Sequence, residues 1–381
     1  MIVKFKEIAD YVAGQSPESK YYSNTEGVPF LQGSRTFGLF YPTIDTYTKK
    51  ITKIAKKGDI LMSVRAPVGD LNIAKEDLCI GRGLSAISSK TGNNIFLFYS
   101  LKYNIQNLIR QSSGTTFDSI TRDVIENMNM IIPDDKSIHL KISKLLFDID
   151  LKIDINNKIN AELESMAKTL YDYWVLQFEF PNENGKPYKS SGGKMVWNEE
   201  LKREIPEGWK VSKIGDILEE ANKSKIQVND AKEKGKYPFF TSGEKILCYD
   251  DYLVKGFNIF LNTGGNPDIK AYMGKCAYST DTWCVSAKEY SYILFYYLLK
   301  LMPQFEQLFF AGSGLKHLQK DFLKNQYILL PDEKVLRNFN NICELIWKKI
   351  TNCLIENQEL VSLRDFLLPL LMNGQVKFKD N

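Results

Sequence analysis

A long segment almost free of glycine and proline occurs twice in this sequence, and it restricts the possible folds more than any other feature. The segments open at Ile131-Ile132-Pro133-Asp134 and at Leu329-Leu330-Pro331-Asp332, so the two prolines lie 331 − 133 = 198 residues apart. Apolar residues then recur about every seven positions, which predicts long helices packed along a seam. The first seam holds Ile142, Ile149, Leu163 and Leu170, beside Leu145, Ile159 and Met166; the second holds Phe339, Ile346, Cys353, Leu360 and Leu367, beside Ile342, Leu363 and Leu370.

Two helices of about 40 residues, each on the order of 60 Å long, most simply pair with each other as an antiparallel coiled coil. Asn156 and Asn160 interrupt the first seam near its middle. A buried asparagine in a seam usually fixes the register, whereas an exposed one has no such role. The sequence leaves both alternatives open.

The repetition extends beyond the helices. Val28-Pro29-Phe30-Leu31 corresponds to Tyr237-Pro238-Phe239-Phe240, and Lys57-Gly58 to Lys255-Gly256, each before an apolar run. Because the matching stretches keep the same order, the sequence predicts one unit used twice.

The domain plan follows from this duplication. Within each repeat, short β-like runs broken by glycines precede a helix, which is typical of a mixed α+β domain and not of a βαβα series. The predicted boundaries are 1–132 for the first domain, 133–180 for the first long helix, 181–208 for a surface linker, 209–330 for the second domain, and 331–381 for the second long helix and tail.

Composition and motifs argue against catalysis, a membrane span and a metal site. The chain has 381 residues, 44% of them hydrophobic and 25% charged, and no apolar run approaches a membrane span. Six cysteines without a CxxC pair, and only two histidines, make zinc improbable and predict reduced thiols in a cytoplasmic protein. No phosphate loop, nucleophile elbow or HExxH motif is present.

Asp134, Asp150 and Lys152 superficially resemble a metal-nuclease constellation. Such a site needs its acids on adjoining strands, whereas Asp150 and Lys152 fall inside the predicted helix, roughly four turns beyond Asp134. The sequence therefore predicts no catalytic residues and no cofactor in this chain.

Positive charge is concentrated in the first domain. Residues 30–90 contain ten Lys or Arg against five Asp or Glu, a local excess of five within a chain of net charge +4. Such a run is compatible with a DNA-binding surface and with an ordinary solvated face.

Three stretches of the chain resemble a known family. They are Phe180 to Met195 (FPNENGKPYKSSGGKM), Glu204 to Trp209 (EIPEGW), and Leu363 to Gly374 (LRDFLLPLLMNG). Together with the duplicated domain-plus-helix plan, they resemble the specificity subunit of type I restriction–modification systems over essentially the whole chain.

This resemblance implies a non-catalytic subunit whose two α+β domains are target recognition domains, each reading one half of a split double-stranded DNA sequence. The helices would set the distance between the half-sites and dock two methyltransferase subunits, and through them restriction and translocase subunits. S-adenosylmethionine, ATP and Mg would be bound by those partners. The docking faces would carry exposed apolar residues such as Trp174, Phe178 and Trp347.

Base readout needs patterned donors and acceptors on loops that reach a groove. The candidate DNA-binding residues in the first domain are Gln32, Ser34, Arg35, Arg65, Arg82, Thr115 and Thr116. The matching places in the second domain hold Thr241, Ser242, Lys245, Asn262, Thr263, Asn266, Ser313, Lys316 and His317. Arg65 has no counterpart, since Asn262-Thr263-Gly264-Gly265 stands in its place.

Two other functional classes compete with this hypothesis. A structural coiled-coil adaptor would have no nucleic-acid role, and its globular domains would lack a basic groove. An enzyme in its own right would need a convergent polar site, which the sequence does not offer.

Overall fold

The computed structural model describes residues 1–111, 120–312, 316–376 and 378. The chain divides into two compact units. The first unit comprises Met1–Asn156 and Glu356–Asn381, and the second comprises Asn157–Ile355. Each unit therefore contains one α+β domain and a part of both long helices.

The described residues form eight α-helices, of which the two long ones fall within their predicted ranges. They are α1 (Phe5–Ile8), α2 (Asn94–Gln111), α3 (Arg122–Glu126), α4 (His139–Tyr171), α5 (Ile214–Ile217), α6 (Ser291–Phe309), α7 (Lys320–Lys324) and α8 (Glu333–Met372). A 3₁₀ turn, Lys136–Ile138, precedes α4, and a π-helical turn, Asp172–Leu176, follows it. Pro369 lies inside α8, which ends at Met372, two residues before Gly374 with φ 69°.

The strands of the first unit form three sheets. They are β1 (Ile2–Lys4), β2 (Ala9–Ala13), β3 (Tyr22–Ser23), β4 (Val28–Leu31), β5 (Tyr47–Thr48), β6 (Ile54–Ala55), β7 (Ile60–Ser63), β8 (Leu71–Ile73), β9 (Leu78–Ile80), β10 (Leu84–Ser89) and β11 (Asn129–Ile131). Their orders are β2-β10-β7-β8, β3-β5-β4-β9-β6 and β1-β11. Among the described residues of this unit, every strand pair is antiparallel except β4 with β9.

The strands of the second unit follow the same plan. They are β12 (Met195–Asn198), β13 (Arg203–Pro206), β14 (Lys210–Lys213), β15 (Glu219–Glu220), β16 (Tyr237–Phe240), β17 (Leu247–Tyr249), β18 (Phe257–Asn262), β19 (Ile269–Met273), β20 (Ala277–Tyr278), β21 (Thr282–Ser286), β22 (Phe310–Ala311), β23 (His317–Leu318) and β24 (Tyr327–Leu330). The order β15-β21-β18-β19 repeats that of the four-stranded sheet in the first unit, and β14-β24 repeats β1-β11. The parallel pair β16 and β20 corresponds to β4 and β9. The predicted duplication and α+β class are thus confirmed at the level of strand order.

The long helices pair antiparallel within the first unit. Asp150 of α4 contacts Arg364 of α8, and the side-chain amide of Asn156 donates to Asn357 Oδ1 at 3.0 Å, so positions rise along α4 as they fall along α8. Asn156 is fully buried and Asn160 is nearly so, which decides between the two alternatives for these residues. The expected seam is only partly correct, because Met166, Ile342 and Leu363 are exposed.

Three aromatic residues expected on exposed docking faces are instead part of the core of the second unit. Trp174, Phe178 and Trp347 are 8%, 3% and 4% exposed. Trp174 packs beside Phe339, and the indole N–H of Trp347 donates to Tyr296 Oη at 3.1 Å. The expectation was wrong because sequence spacing does not reveal that the α+β domain covers this side of the helices. Large apolar side chains that are exposed on the helices include Leu140, Met166, Leu345 and Phe366.

The predicted linker contains regular structure. β12 and β13 pair antiparallel from Met195↔Pro206 to Asn198↔Arg203. Phe180, just before the linker, stacks on Trp209, just after it, with ring centroids 5.2 Å apart, and both rings are buried.

All six cysteines are free and buried. Among the described residues, no helix is long and apolar enough to cross a membrane.

Candidate nucleic-acid interface

In the first unit, five of the predicted site residues lie on three loops at one edge of the domain. The parallel pairing of β4 with β9 (Leu31↔Ile80) makes the chain leave both strands in the same direction. The Gln32–Arg35 turn therefore lies beside the turn that carries Arg82. The backbone N–H of Gly81 donates to Leu31 O at 2.8 Å and fixes this juxtaposition.

Gly83 connects these two turns to the third loop, which carries Arg65. Its N–H donates to Gln32 O at 3.2 Å, and its carbonyl accepts from the N–H of Val64 at 2.9 Å. A Cβ on Gly83 would lie 2.5 Å from Gln32 O, and one on Gly81 would lie 2.6 Å from Gln32 Oε1. Glycine is therefore required at position 83, where the clash is with backbone, whereas at position 81 the nearest atom is the end of a flexible side chain.

Serine hydroxyl groups stabilise the same loops through hydrogen bonds. Ser34 Oγ donates to Asp70 Oδ2 at 3.0 Å, and Ser63 Oγ donates to Pro67 O at 2.6 Å while accepting from the N–H of Asp70 at 2.9 Å. Ser16 Oγ donates to Gln32 Oε1 at 2.9 Å. The result is a cleft of about 520 Å³ lined by residues of the first and third loops.

The three arginines differ in their partners. Arg35 forms an ion pair with Asp45, and this hydrogen bond holds the pKa of the Asp45 carboxyl below its usual value. Both groups are exposed, so the pair adds little stability and can exchange for another anion. Arg65 and Arg82 are also exposed, and within the described residues neither guanidinium forms an ion pair or a hydrogen bond.

The second unit builds the corresponding edge with different side chains. Ser279 N donates to Phe240 O at 2.9 Å, as Gly81 N does to Leu31 O, and Thr263 N donates to Asp281 O at 3.1 Å, as Val64 N does to Gly83 O. The turn Ser279-Thr280-Asp281 thus occupies the place of Gly81-Arg82-Gly83. By the same register, Gly264 follows Thr263 where Arg65 follows Val64.

Two predicted residues of this unit hold the loops and do not face outward. Asn262 is 4% exposed, and its side-chain amide donates to Ser242 O and Asn266 O, both at 2.9 Å. Thr241 is 5% exposed, and its hydroxyl accepts from the N–H of Gly243 at 3.0 Å. Asn262 therefore joins the first loop to the third, much as Ser63 closes its own loop in the first unit.

The hydroxyl groups of Ser242 and Thr263 both donate to the carbonyl of Asp281, at 2.9 and 2.8 Å. Sequence reasoning missed Asp281, together with Lys270, whose ammonium donates to Thr241 O at 3.1 Å and Gly243 O at 2.8 Å. Neither had a sequence signal, because the role of each depends on contacts between residues far apart in the sequence.

The remaining predicted residues of this unit lie at its surface. Lys245 pairs with Glu233 at 2.9 Å and Lys316 with Glu306 at 2.7 Å, both in exposed positions. His317 forms a bridge to Gly264, which brings the β23 strand to the same edge. Asn266 is exposed in the third loop. Thr115, Thr116 and Ser313 lie outside the described residues.

The acids of the nuclease-like pattern do not converge. Asp150 is buried, its Oδ2 accepts from Tyr99 Oη at 2.8 Å, and its Oδ1 pairs with Arg364 at 2.6 Å. Asp134 is exposed and pairs with the amino group of Met1. Asp150 therefore belongs to a buried ion pair between the helices, which sequence reasoning also missed.

Two similar domains with loop clusters at a strand edge, each supported by paired long helices, define a protein with duplicated recognition domains. Residues 1–165 and 206–352 match the family model described as "Type I restriction modification DNA specificity domain". The chain belongs to this family, and it is the DNA sequence-specificity component of a type I restriction–modification system, not an enzyme in its own right.

Individual relatives agree with this assignment. The chain is 26% identical over 418 residues to the type I restriction enzyme MjaIX specificity subunit of Methanocaldococcus jannaschii, covering 100% of this chain and 94% of that protein. It is 41% identical over 162 residues to the putative MjaX specificity subunit of the same organism, covering 42% of this chain and 38% of that protein. The crystal structure of the S subunit from M. genitalium shares the fold, with a TM-score of 0.59, 16% identity, and coverage of 100% of this chain and 96% of that one.

Proposed function

We propose that each unit reads one half of a bipartite double-stranded DNA target through the loop cluster at its strand edge. The observation that carries the proposal is that the same backbone scaffold presents different side chains in the two units. Arg82 stands in the first unit where Thr280 stands in the second, and Arg65 where Gly264 stands. Two domains that read different sequences need a common backbone scaffold with different side chains at the loop ends. The scaffold positions the side chains, and their contacts with the bases determine which sequence is bound.

The loop clusters are suited to this task because their backbones are fixed before DNA binds. In the first unit the fixing contacts run through Gly81 and Gly83, and in the second through Asn262 and the carbonyl of Asp281. Pre-organised loops lose little conformational entropy on binding. In this proposal Thr241 and Asn262 support the loops, and the exposed residues of the three loops contact the DNA.

The long helices have two further proposed roles. Each unit contains a part of both helices. We propose that the length of the helices sets the spacing between the two half-sites. Exposed apolar side chains such as Leu140, Leu345 and Phe366 offer surface for two methyltransferase subunits, and through them restriction and translocase subunits. S-adenosylmethionine, ATP and Mg would act in those partners.

The test is co-expression of the full chain with its cognate methyltransferase subunit, followed by sequencing of modified bases in the host DNA. We expect a single split motif with modified adenine in both halves, lost when this chain is deleted. Co-purification of the subunits without a split motif would instead favour a coiled-coil adaptor that reads no DNA.

The spacing role has its own test. Deleting seven residues from each long helix removes about 10 Å of helix, equivalent to about three base pairs at 3.4 Å each, while keeping the heptad phase. We expect the spacer of the split motif to shorten. A shortened chain that still methylates the original spacer would refute this role.

A further inference from the structure

We propose that Arg65 and Arg82 together read guanine in the major groove of the first half-site, and that the second half-site is read without arginine at the equivalent positions. This inference rests on the proposed function, since it presupposes that the loop clusters contact DNA. It adds the chemical class of the base that one reader selects and assigns that selection to two residues.

The two arginines are held next to each other by the backbone. One hydrogen bond joins Val64 N to Gly83 O at 2.9 Å, with Arg65 following Val64 in the chain and Arg82 preceding Gly83. The turn around Arg82 is closed by Leu84 N donating to Gly81 O at 3.0 Å. Both arginine side chains are thus attached to adjacent backbone segments that hydrogen bonds hold in place, as recognition of a base in one orientation requires.

The ion pairs of this loop cluster distinguish Arg65 and Arg82 from Arg35. Arg35 in the same cluster pairs with Asp45, whereas Arg65 and Arg82 form no ion pair with the part of the chain that the structure describes. Both are exposed. Guanidinium groups offer donors only, so the ligand that fits these two arginines is a group rich in acceptors. On DNA that group is either a phosphate or the O6 and N7 edge of guanine.

The comparison of the two units favours guanine. Every DNA half-site has the same sugar–phosphate backbone, so a phosphate clamp at this place would be needed in both units. The second unit instead has Gly264 and Thr280 at the equivalent positions and Asp281 where Gly83 stands. A cationic pair present in only one reader fits a contact that specifies bases, because phosphate contacts carry no sequence information. Guanine suits arginine because both acceptors of its major-groove edge can be met by one guanidinium, whereas adenine presents a donor beside its acceptor.

The experiment measures binding of the full chain, assembled with its methyltransferase subunit, to double-stranded DNA selected from a random library. Each selected guanine of the first half-site is then replaced by 7-deazaguanine, which removes the N7 acceptor but keeps the base pair and the phosphates. We expect wild-type binding to weaken at the deaza-substituted site. Arg82→Ala and Arg65→Ala should each weaken binding by about 5- to 150-fold on normal DNA and respond little to the deaza base.

Three variants serve as controls. Arg82→Lys keeps the charge and should keep the salt dependence of binding while losing most of the guanine preference. Lys75→Ala removes an exposed charge at the opposite end of the β7–β8 pair, where Gly58 N bonds to Ala74 O, and should change neither property. Thr280→Ala should alter only the second half-site.

The outcomes separate this inference from the proposed function. A split motif whose first half requires guanine, with that requirement relaxed by Arg82→Ala, supports both. A split motif in which the arginine variants lose affinity equally on all sequences, or in which the Arg82→Lys variant keeps full selectivity, refutes guanine reading and assigns the pair to phosphate. Selection of no split motif overturns the proposed function itself.

Discussion

Removing Arg364 should strongly destabilise the first unit, because it leaves a buried carboxylate without its main partner. Asp150 is 1% exposed, and its Oδ1 lies 2.6 Å from Arg364 Nη1. Its other oxygen accepts from Tyr99 at 2.8 Å, while Lys102 Nζ lies 4.0 Å away. Breaking a buried pair by deleting one partner costs about 3–5 kcal/mol.

We expect Arg364→Ala to cost about 3 kcal/mol, at the lower end of that range, because Lys102 can still offset part of the Asp150 charge. Burial lowers the pKa of Lys102, and the nearby Arg364 charge lowers it further. Loss of Arg364 therefore favours the protonated form of Lys102, and this positive charge can offset part of the Asp150 charge.

The assay is scanning calorimetry of the full chain. For a unit of this size, about 3 kcal/mol corresponds to a fall in Tm of about 6–12 °C. Only the transition of the first unit should move, since all four groups lie in it. A loss of stability below about 1 kcal/mol, or an equal fall in the Tm of both units, would refute the claim that the Asp150–Arg364 ion pair stabilises the first unit.

Two variants calibrate this result. Asp150→Leu combined with Arg364→Met should recover most of the loss, because an apolar pair of similar volume avoids the desolvation cost of both charges. The second unit already contains a neutral version, in which Trp347 donates to Tyr296, each 197 residues beyond its counterpart (347 − 150 and 296 − 99). Lys348→Ala, which breaks the exposed pair with Glu344 on the same helix, should cost about 0.5 kcal/mol or less.

Three further predictions test the loop scaffolds and one half-buried histidine. Gly83→Ala should lower the free energy of unfolding by about 1–3 kcal/mol and abolish recognition of the first half-site only, because its Cβ would lie 2.5 Å from Gln32 O. Gly33→Ala is the control: no atom lies within 4 Å of its Cβ, so unfolding and DNA-binding assays should show no change. Asn262→Ala should cost about 2 kcal/mol in the second unit and impair only the second half-site, since two carbonyls lose their donor; equal impairment of both halves would contradict this. His139 is stacked on a phenylalanine, and burial lowers its pKa from 6.5, so the native state prefers the neutral ring. Stability should therefore fall as the pH drops below about 6.5. His139→Gln should flatten this part of the Tm–pH profile, and an unchanged slope would exclude the histidine as its source.

The sequence determined the duplication and the order of elements. Heptad spacing after Pro133 and Pro331 predicted the existence and the approximate position of both long helices, because helix periodicity is a local property of the chain. Matching stretches in the same order predicted two similar α+β domains, and the structure repeats even their strand order.

Tertiary structure alone decided which side chains face outward. Trp174 and Trp347 have the spacing of exposed helix residues but are covered by the second domain. Asn262 and Thr241 have the composition of base readers but are buried beneath their loops. Asp281 gave no signal, because its role comes from the pairing of β16 with β20 in parallel. Periodicity and motifs are read along the chain, whereas exposure and charge pairing depend on contacts between residues far apart in sequence, and these exist only once the strands have paired.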